Sequence, residues 1–398
     1  MTRDGIRFLF LNLGHFLDHF FVLIFATVAA LRLSGEWDMS YAQLIPYATP
    51  GFVAFGICAI PAGWLADRWS REGMLSIFFV GVGTCAMLSA MAETPLQIGV
   101  GLTLIGVFAA IYHPVGLAMV VHNREKTGLP VAVNGVFGNL GVASAALCTG
   151  FLIDHHGWRS AFAVPGAIAV AIGLAYVVFT YRTPRLRIDA GHAAAPAPLA
   201  ATGRRTLLRV FAVIFLTTAL GGLIFQSTTF ALPKIFDERL GTLAGTATLV
   251  GWYAFWVFAS AAFAQLLVGY LLDRFSLRTV FAGIALLQAI FLGVMLNSHG
   301  AAALIVAIAF MLMVFGQIPI NDVLVGRITR SGWRARAYAL RSLVTFSVMA
   351  SAVPMIAWLH AGWGFNALFA VLAAAALCIF IAVLALPTGA AFIQRTQS

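Results

Sequence analysis

Inside stretches that are otherwise apolar lie six side chains able to carry charge or coordinate an ion: His15, Asp18, His19, His113, Asp322 and Arg341. An ionisable group in hydrocarbon is costly, so it faces a protein interior or a wet cavity, where it binds or relays something. His15, Asp18 and His19 are spaced by three and four residues, which on a helix puts all three on one face about one turn apart. A carboxylate beside an imidazole suits a proton relay, since burial and pairing draw their proton affinities together. Asp18 would hold the proton and a histidine would pass it on. With His113 opposite, the same residues also have the makings of a transition-metal site, with Met119 or the Met87 and Met91 pair nearby.

Elements long enough to bury such groups are visible in the composition. The chain is 61% hydrophobic and 10% charged, with a mean hydropathy of +0.95, against about 25% charged for a soluble globular protein. A helix crosses a bilayer in about 20 apolar residues. Runs of that kind fall at 6–32, 41–66, 74–93, 97–121, 130–153, 159–181, 207–233, 243–271, 279–298, 301–325, 335–359 and 364–387. The expected fold is therefore an all-α membrane protein of twelve transmembrane helices. Of 24 Lys and Arg residues, only Arg32, Arg159, Lys234 and Arg239 fall in loops on one side, while Arg341 lies within a span. The basic side is cytoplasmic by the positive-inside rule, which puts both termini there, in the inner membrane if the cell is bacterial. The net charge of +10 is thus a topology label, and no nucleic-acid partner is expected. No cleavable leader is expected at the N-terminus. Cys58, Cys85, Cys148 and Cys378 lie in spans at no metal-site spacing and are expected as core residues. No nucleophile, base and orienting group come together in the sequence, so neither an enzyme nor a cofactor is expected.

Residues 183–205, rich in Ala, Pro and Arg, read as a cytoplasmic linker between two pseudo-symmetric six-helix bundles, 1–182 and 206–398. Each half carries the same motif after its second span: Gly63, Asp67, Arg68 and Arg71, then Gly269, Asp273, Arg274 and Arg278. The two aspartates are 206 residues apart. Glycine there lets helices approach closely, and the carboxylates can accept from helix N-termini or arginines. This doubled Gly-x-x-x-Asp-Arg loop resembles the signature of the major facilitator superfamily. The resemblance implies the major facilitator fold, a monomer, and a gate latch that holds an outward-open state and breaks as the halves rock. Gly157, Trp158 and Arg159 resemble a further motif of that superfamily, with a structural role. Asp322 and Arg341 are expected to form a latch pair between spans 10 and 11.

The resemblance also implies that spans 1, 4, 7 and 10 line a central cavity, and the buried polar residues concentrate there. They are Asn12 with the span 1 cluster, His113 in span 4, Gln226 in span 7, and Gln317 and Asn321 in span 10. Pro114 and Pro319 are expected to kink spans 4 and 10 at matching depth. Within the superfamily, Gly14 to His19, Tyr112 to Pro114 and Asn134 to Gly141 resemble the fosmidomycin-resistance type of efflux protein. Here Asp18 stands where that family has Asn, His19 where it has Asp, and Val115 where it has Glu. The carboxylate is therefore shifted about 100° around the helix. The expected function is proton-coupled export of a small organic molecule. Transition-metal transport through His15, Asp18, His19 and His113, or symport of a metabolite, are the alternatives.

Overall fold

The computed structural model describes residues 2–122, 127–182, 204–328 and 331–386, and it is helical throughout. Eleven of its helices are long and apolar enough to cross a membrane. In chain order these are α1 (Arg3–Glu36), α2 (Tyr41–Arg68), α3 (Arg71–Ser89), α4 (Pro95–Val121), α5 (Gly128–His156), α6 (Trp158–Tyr181), α7 (Arg204–Arg239), α8 (Ala247–Arg274), α9 (Leu277–Met295), α10 (Gly300–Ile328) and α11 (Ser331–Leu384). The last has 54 residues, about 80 Å if straight and far more than a bilayer needs. It is broken at Gly364, where φ is +69°, a conformation that a residue without Cβ adopts readily. The expected gap at 360–363 is instead helical, and the chain turns one residue later.

Local sequence explains the other irregularities. Pro114 has no N–H to offer the carbonyl of Ala110, and α4 is interrupted at Ala110 and Ile111, one turn earlier. Helix α10, in contrast, continues through Pro319 without a break. One missing bond in a long membrane helix is tolerated when its neighbours hold it, so Pro319 does not interrupt its helix as Pro114 does. In α1 a π turn spans Ala29–Leu33, and the Ser34 hydroxyl donates to the Ala29 carbonyl at 2.9 Å, filling the widened turn. Ser40 and Gln43 form a capping box at the start of α2.

The described residues form two compact units. One takes those of Met1–Gly191 with Phe230–Ala259, the other those of His192–Thr229 with Ser260–Ser398. In the first, α1 packs on α5, α3 on α6 and α2 on α4; in the second, α9 packs on α10 and α11. The α1/α5 crossing is close because Gly141 presents no side chain to the Phe16 carbonyl. At one end of the first unit, Glu36 accepts from Trp158 Nε1 at 2.8 Å and from Arg159 at 3.2 Å, and Arg159 also donates to the Ala92 carbonyl. Trp158 and Arg159 thus clamp α1, α6 and the α3–α4 connection together. At the other end, half-buried Arg7 of α1 pairs with buried Glu72 of α3 at 3.2 Å. Cys85 is buried, whereas Cys378 is exposed on α11; an apolar thiol is at home facing lipid as well as core. Of the expected linker at 183–205, residues 183–203 lie outside the described residues, and Arg204 and Arg205 open α7.

Candidate functional site

Three imidazoles and one carboxylate from α1 and α4 come together in the first unit. His15 and His19 stand one turn apart with ring centroids 5.0 Å apart, and His113 meets them edge-on at 5.5 and 5.4 Å. One nitrogen of each lies within 4.8 Å of the others. Asp18, fully buried, does not pair with its neighbours on α1. Its Oδ2 lies 3.2 Å from His113 Nε2. Among the described residues neither carboxylate oxygen has a hydrogen-bond partner. The contact is therefore one of charge, strong only when the imidazole is protonated.

The break in α4 aims His113 inward, and α5 holds the rest in place. The His15 Nδ1–H donates to the Asn134 carbonyl at 2.7 Å, which fixes its tautomer and leaves Nε2 without a proton. Asn134 Nδ2 donates to Asn12 Oδ1 at 3.0 Å and to the Tyr112 hydroxyl at 2.9 Å, and that hydroxyl donates to the Leu11 carbonyl at 2.7 Å. The Tyr112 ring stacks on His15 at 5.0 Å. At Gly138 any Cβ would sit 2.7 Å from His15 Nε2, so glycine makes room for the imidazole. Phe55 of α2 packs edge-on against His113.

Sequence reasoning found the four ionisable groups but not their pairing, and it missed Tyr112 and Asn134 as the frame around them. Their signal was two polar side chains in apolar spans. Asn12, expected to touch substrate, accepts from Asn134 Nδ2. Met87, on α3, and Met91, just past its end, are both exposed.

In the second unit, Gln317 Nε2 donates to the Thr217 carbonyl at 3.4 Å, and the Thr217 hydroxyl approaches Asn321 Oδ1 at 3.5 Å. Gln317 Oε1, Gln226 Nε2 and the Ser227 hydroxyl are buried without a partner among the described residues. The side chains of Asp322 and Arg341 lie outside the described residues. Phe230 is fully buried and meets Phe52 edge-on in the first unit.

The repeated motif is built alike in both halves in two respects and differs in two others. Arg68 lies over the Trp64 ring at 4.4 Å and Arg274 over the Tyr270 ring at 4.3 Å. Ser70 and Ser276 each cap the following helix, accepting from the N–H of Gly73 and Thr279. Asp67 pairs with Arg71 at 2.7 Å, but among the described residues Asp273 makes no such pair. Gly63 packs against Pro114, whereas among the described residues nothing lies beside Gly269.

These features have counterparts in known proteins. The gallate transporter of Pseudomonas putida is 28% identical over 158 residues, 39% of this chain and 35% of that protein. The 4-hydroxybenzoate transporter of the same organism is 23% identical over 66% of this chain and 65% of its own length. The chain therefore spans less than two thirds of these relatives. The 4-hydroxybenzoate transporter of Acinetobacter baylyi is 25% identical over 91% of the chain and 87% of its own. Among solved structures, the xylose transporter XylE from E. coli in an inward open conformation superposes with a TM-score of 0.74 at 12% identity, covering 97% of each chain. A bacterial homologue of the human lysosomal transporter Spinster gives 0.73 at 15% identity, over 97% of this chain and 95% of that one. Neither relatives nor fold neighbours single out the fosmidomycin-resistance type. The family model for the Major Facilitator Superfamily matches residues 11–247, and with helices of this kind around a buried polar cluster the chain belongs to that superfamily of membrane transporters and is not an enzyme.

Proposed function

We propose that this chain is a proton-coupled secondary transporter of a small aromatic carboxylate, working by alternating access, with Asp18 and His113 as the proton site. The carrying observation is Asp18: a fully buried carboxylate with no hydrogen bond, 3.2 Å from an imidazole nitrogen. Left charged and alone it would be strongly destabilising, so it takes either a proton or a protonated His113. When His113 carries the proton the pair is neutral overall. A substrate carboxylate arriving beside it then needs a further proton, which His15 or His19 can accept. Anion and proton load together, which is the logic of symport. The relatives named for gallate and 4-hydroxybenzoate, and a niacin transporter 27% identical over 39% of the chain, support this substrate class. Gln226, Gln317 and Asn321 are buried neutral donors and acceptors within the second unit, and in this reading they too are substrate-binding residues. In this reading 1–182 and 206–398 are the two six-helix halves, Gly364 divides α11 into spans 11 and 12, and the Asp67 motif is the cytoplasmic latch.

Uptake of labelled 4-hydroxybenzoate, gallate and nicotinate into proteoliposomes tests it. Wild type is expected to accumulate at least one of them when the outside is made acidic, and Asp18→Asn to accumulate none. Accumulation only under the opposite gradient would turn symport into export, the reading that a puromycin resistance protein 29% identical over 34% of the chain favours. No accumulation under either gradient would sink the substrate class.

A second reading takes a divalent transition metal as cargo, because the three imidazole nitrogens lie within 4.8 Å of one another. Binding would draw them together to ligand distances of about 2.1 Å from the ion. Nickel or zinc uptake lost in His15→Ala, with no aromatic acid carried by wild type, would select it.

A further inference from the structure

The C-terminal end of α5 and the N-terminal end of α8 are joined by an unusual cap. A helix starts with N–H groups that have no partner of its own. In α8 the Thr246 hydroxyl takes the N–H of Leu249 at 3.1 Å, but the N–H groups of Ala247 and Thr248 are taken by another helix. Asp154, in the last turn of α5, accepts from Ala247 N at 3.3 Å, from Thr248 N at 2.7 Å and from the Thr248 hydroxyl at 2.5 Å. The carboxylate also lies at the positive end of the α8 dipole. One turn along, the helices touch backbone to backbone. Gly150 presents no side chain to the Ala247 carbonyl, and a Cβ on Gly251 would lie 2.6 Å from both the Ala146 carbonyl and Leu147 Cα.

We propose that Asp154 is an outer latch, which holds the external ends of α5 and α8 together while the transport path is closed to the outside and lets go each time it opens. The two helices come from different halves of the sequence repeat, and the basic loops put this end of both outside. Everything in the contact is suited to forming and breaking. The cap is a set of hydrogen bonds at an exposed carboxylate, and each helix keeps its own backbone bonds when they part. The glycines allow a close seat without interlocking side chains. This inference rests on the alternating-access reading but not on any substrate.

The test therefore uses no substrate. In a background with Cys58, Cys85, Cys148 and Cys378 replaced, Leu147→Cys sits under the seat of Gly251. Its labelling by a membrane-impermeant maleimide added to intact overproducing cells reports opening to the outside. Asp154→Asn keeps the shape and trades charge-assisted bonds for neutral ones, which is expected to raise the labelling rate about tenfold. Thr248→Val removes only the hydroxyl bond and is expected to raise it less, and it stands as the second variant should Asp154→Asn fail to accumulate. An unchanged or slower rate in the variant that accumulates overturns the latch, whatever the liposome experiment finds. A faster rate with no aromatic acid carried would leave the latch standing and remove only the substrate class.

Discussion

Asp18 and Tyr112 divide the work at the candidate site, one carrying charge and the other carrying shape. Tyr112 is buried, its hydroxyl donates to the Leu11 carbonyl and accepts from Asn134, and its ring supports His15. Tyr112→Phe keeps the ring but leaves the buried Leu11 carbonyl with only the longer side-chain bond from Asn134 Nδ2 at 3.4 Å, and Asn134 Nδ2 with one acceptor fewer. Such losses cost about 1–3 kcal/mol. The expected outcome is a lower thermal midpoint in detergent with substrate uptake retained, whereas Asp18→Asn keeps its midpoint and loses uptake. If Tyr112→Phe abolished uptake without lowering the midpoint, the hydroxyl would belong to the transport chemistry and not to the frame. The residue types in this cluster were legible from the sequence, because an ionisable group in an apolar span has no bland explanation. Their pairing was not, because helical spacing relates residues on one helix, and the partner of Asp18 is on another.

Helix packing explains what spacing could not. Asn134 reaches Asn12, Tyr112 and His15 because α5 lies close against α1, and it can lie so close because of Gly141 and Gly138. Gly141→Leu would drive a side chain into the Phe16 backbone, a clash that backbone shifts must absorb at a cost of about 1–3 kcal/mol or more. The expected result is poor accumulation and a lowered midpoint. Gly138→Ala meets only the His15 ring, which can turn aside, so the protein is expected to fold while uptake falls. Equal effects on folding from both would mean that the imidazole is as fixed as the backbone. Span positions, the interruption before Pro114 and the repeat were readable in advance, since hydropathy, a missing N–H and a recurring motif are local signals. The uninterrupted course of α10 through Pro319 was not, because neighbouring helices decide whether a proline interrupts its own.

At the scale of the molecule, the proposed scheme puts the Asp67 motif and the Asp154 cap at opposite faces of the membrane, where they bias the same equilibrium in opposite directions. The superfamily resemblance makes Asp67 with Arg71 a holder of the outward-open state. Asp154 holds the outside closed. Asp67 is largely exposed and its pair with Arg71 lies within four residues, so its contribution is at most about 1 kcal/mol. The cap at Asp154 involves three donors and should weigh more. Sites so far apart, with no shared partner, add in free energy, and a population follows the sum. Labelling of Leu147→Cys is thus expected to rise in Asp154→Asn, to fall slightly in Asp67→Asn, and to lie between the two in the double variant, nearer the first. A double variant labelled faster than Asp154→Asn alone would mean that both carboxylates close the outside. The chain would then need another element, such as the unpaired motif at Asp273, to hold it open.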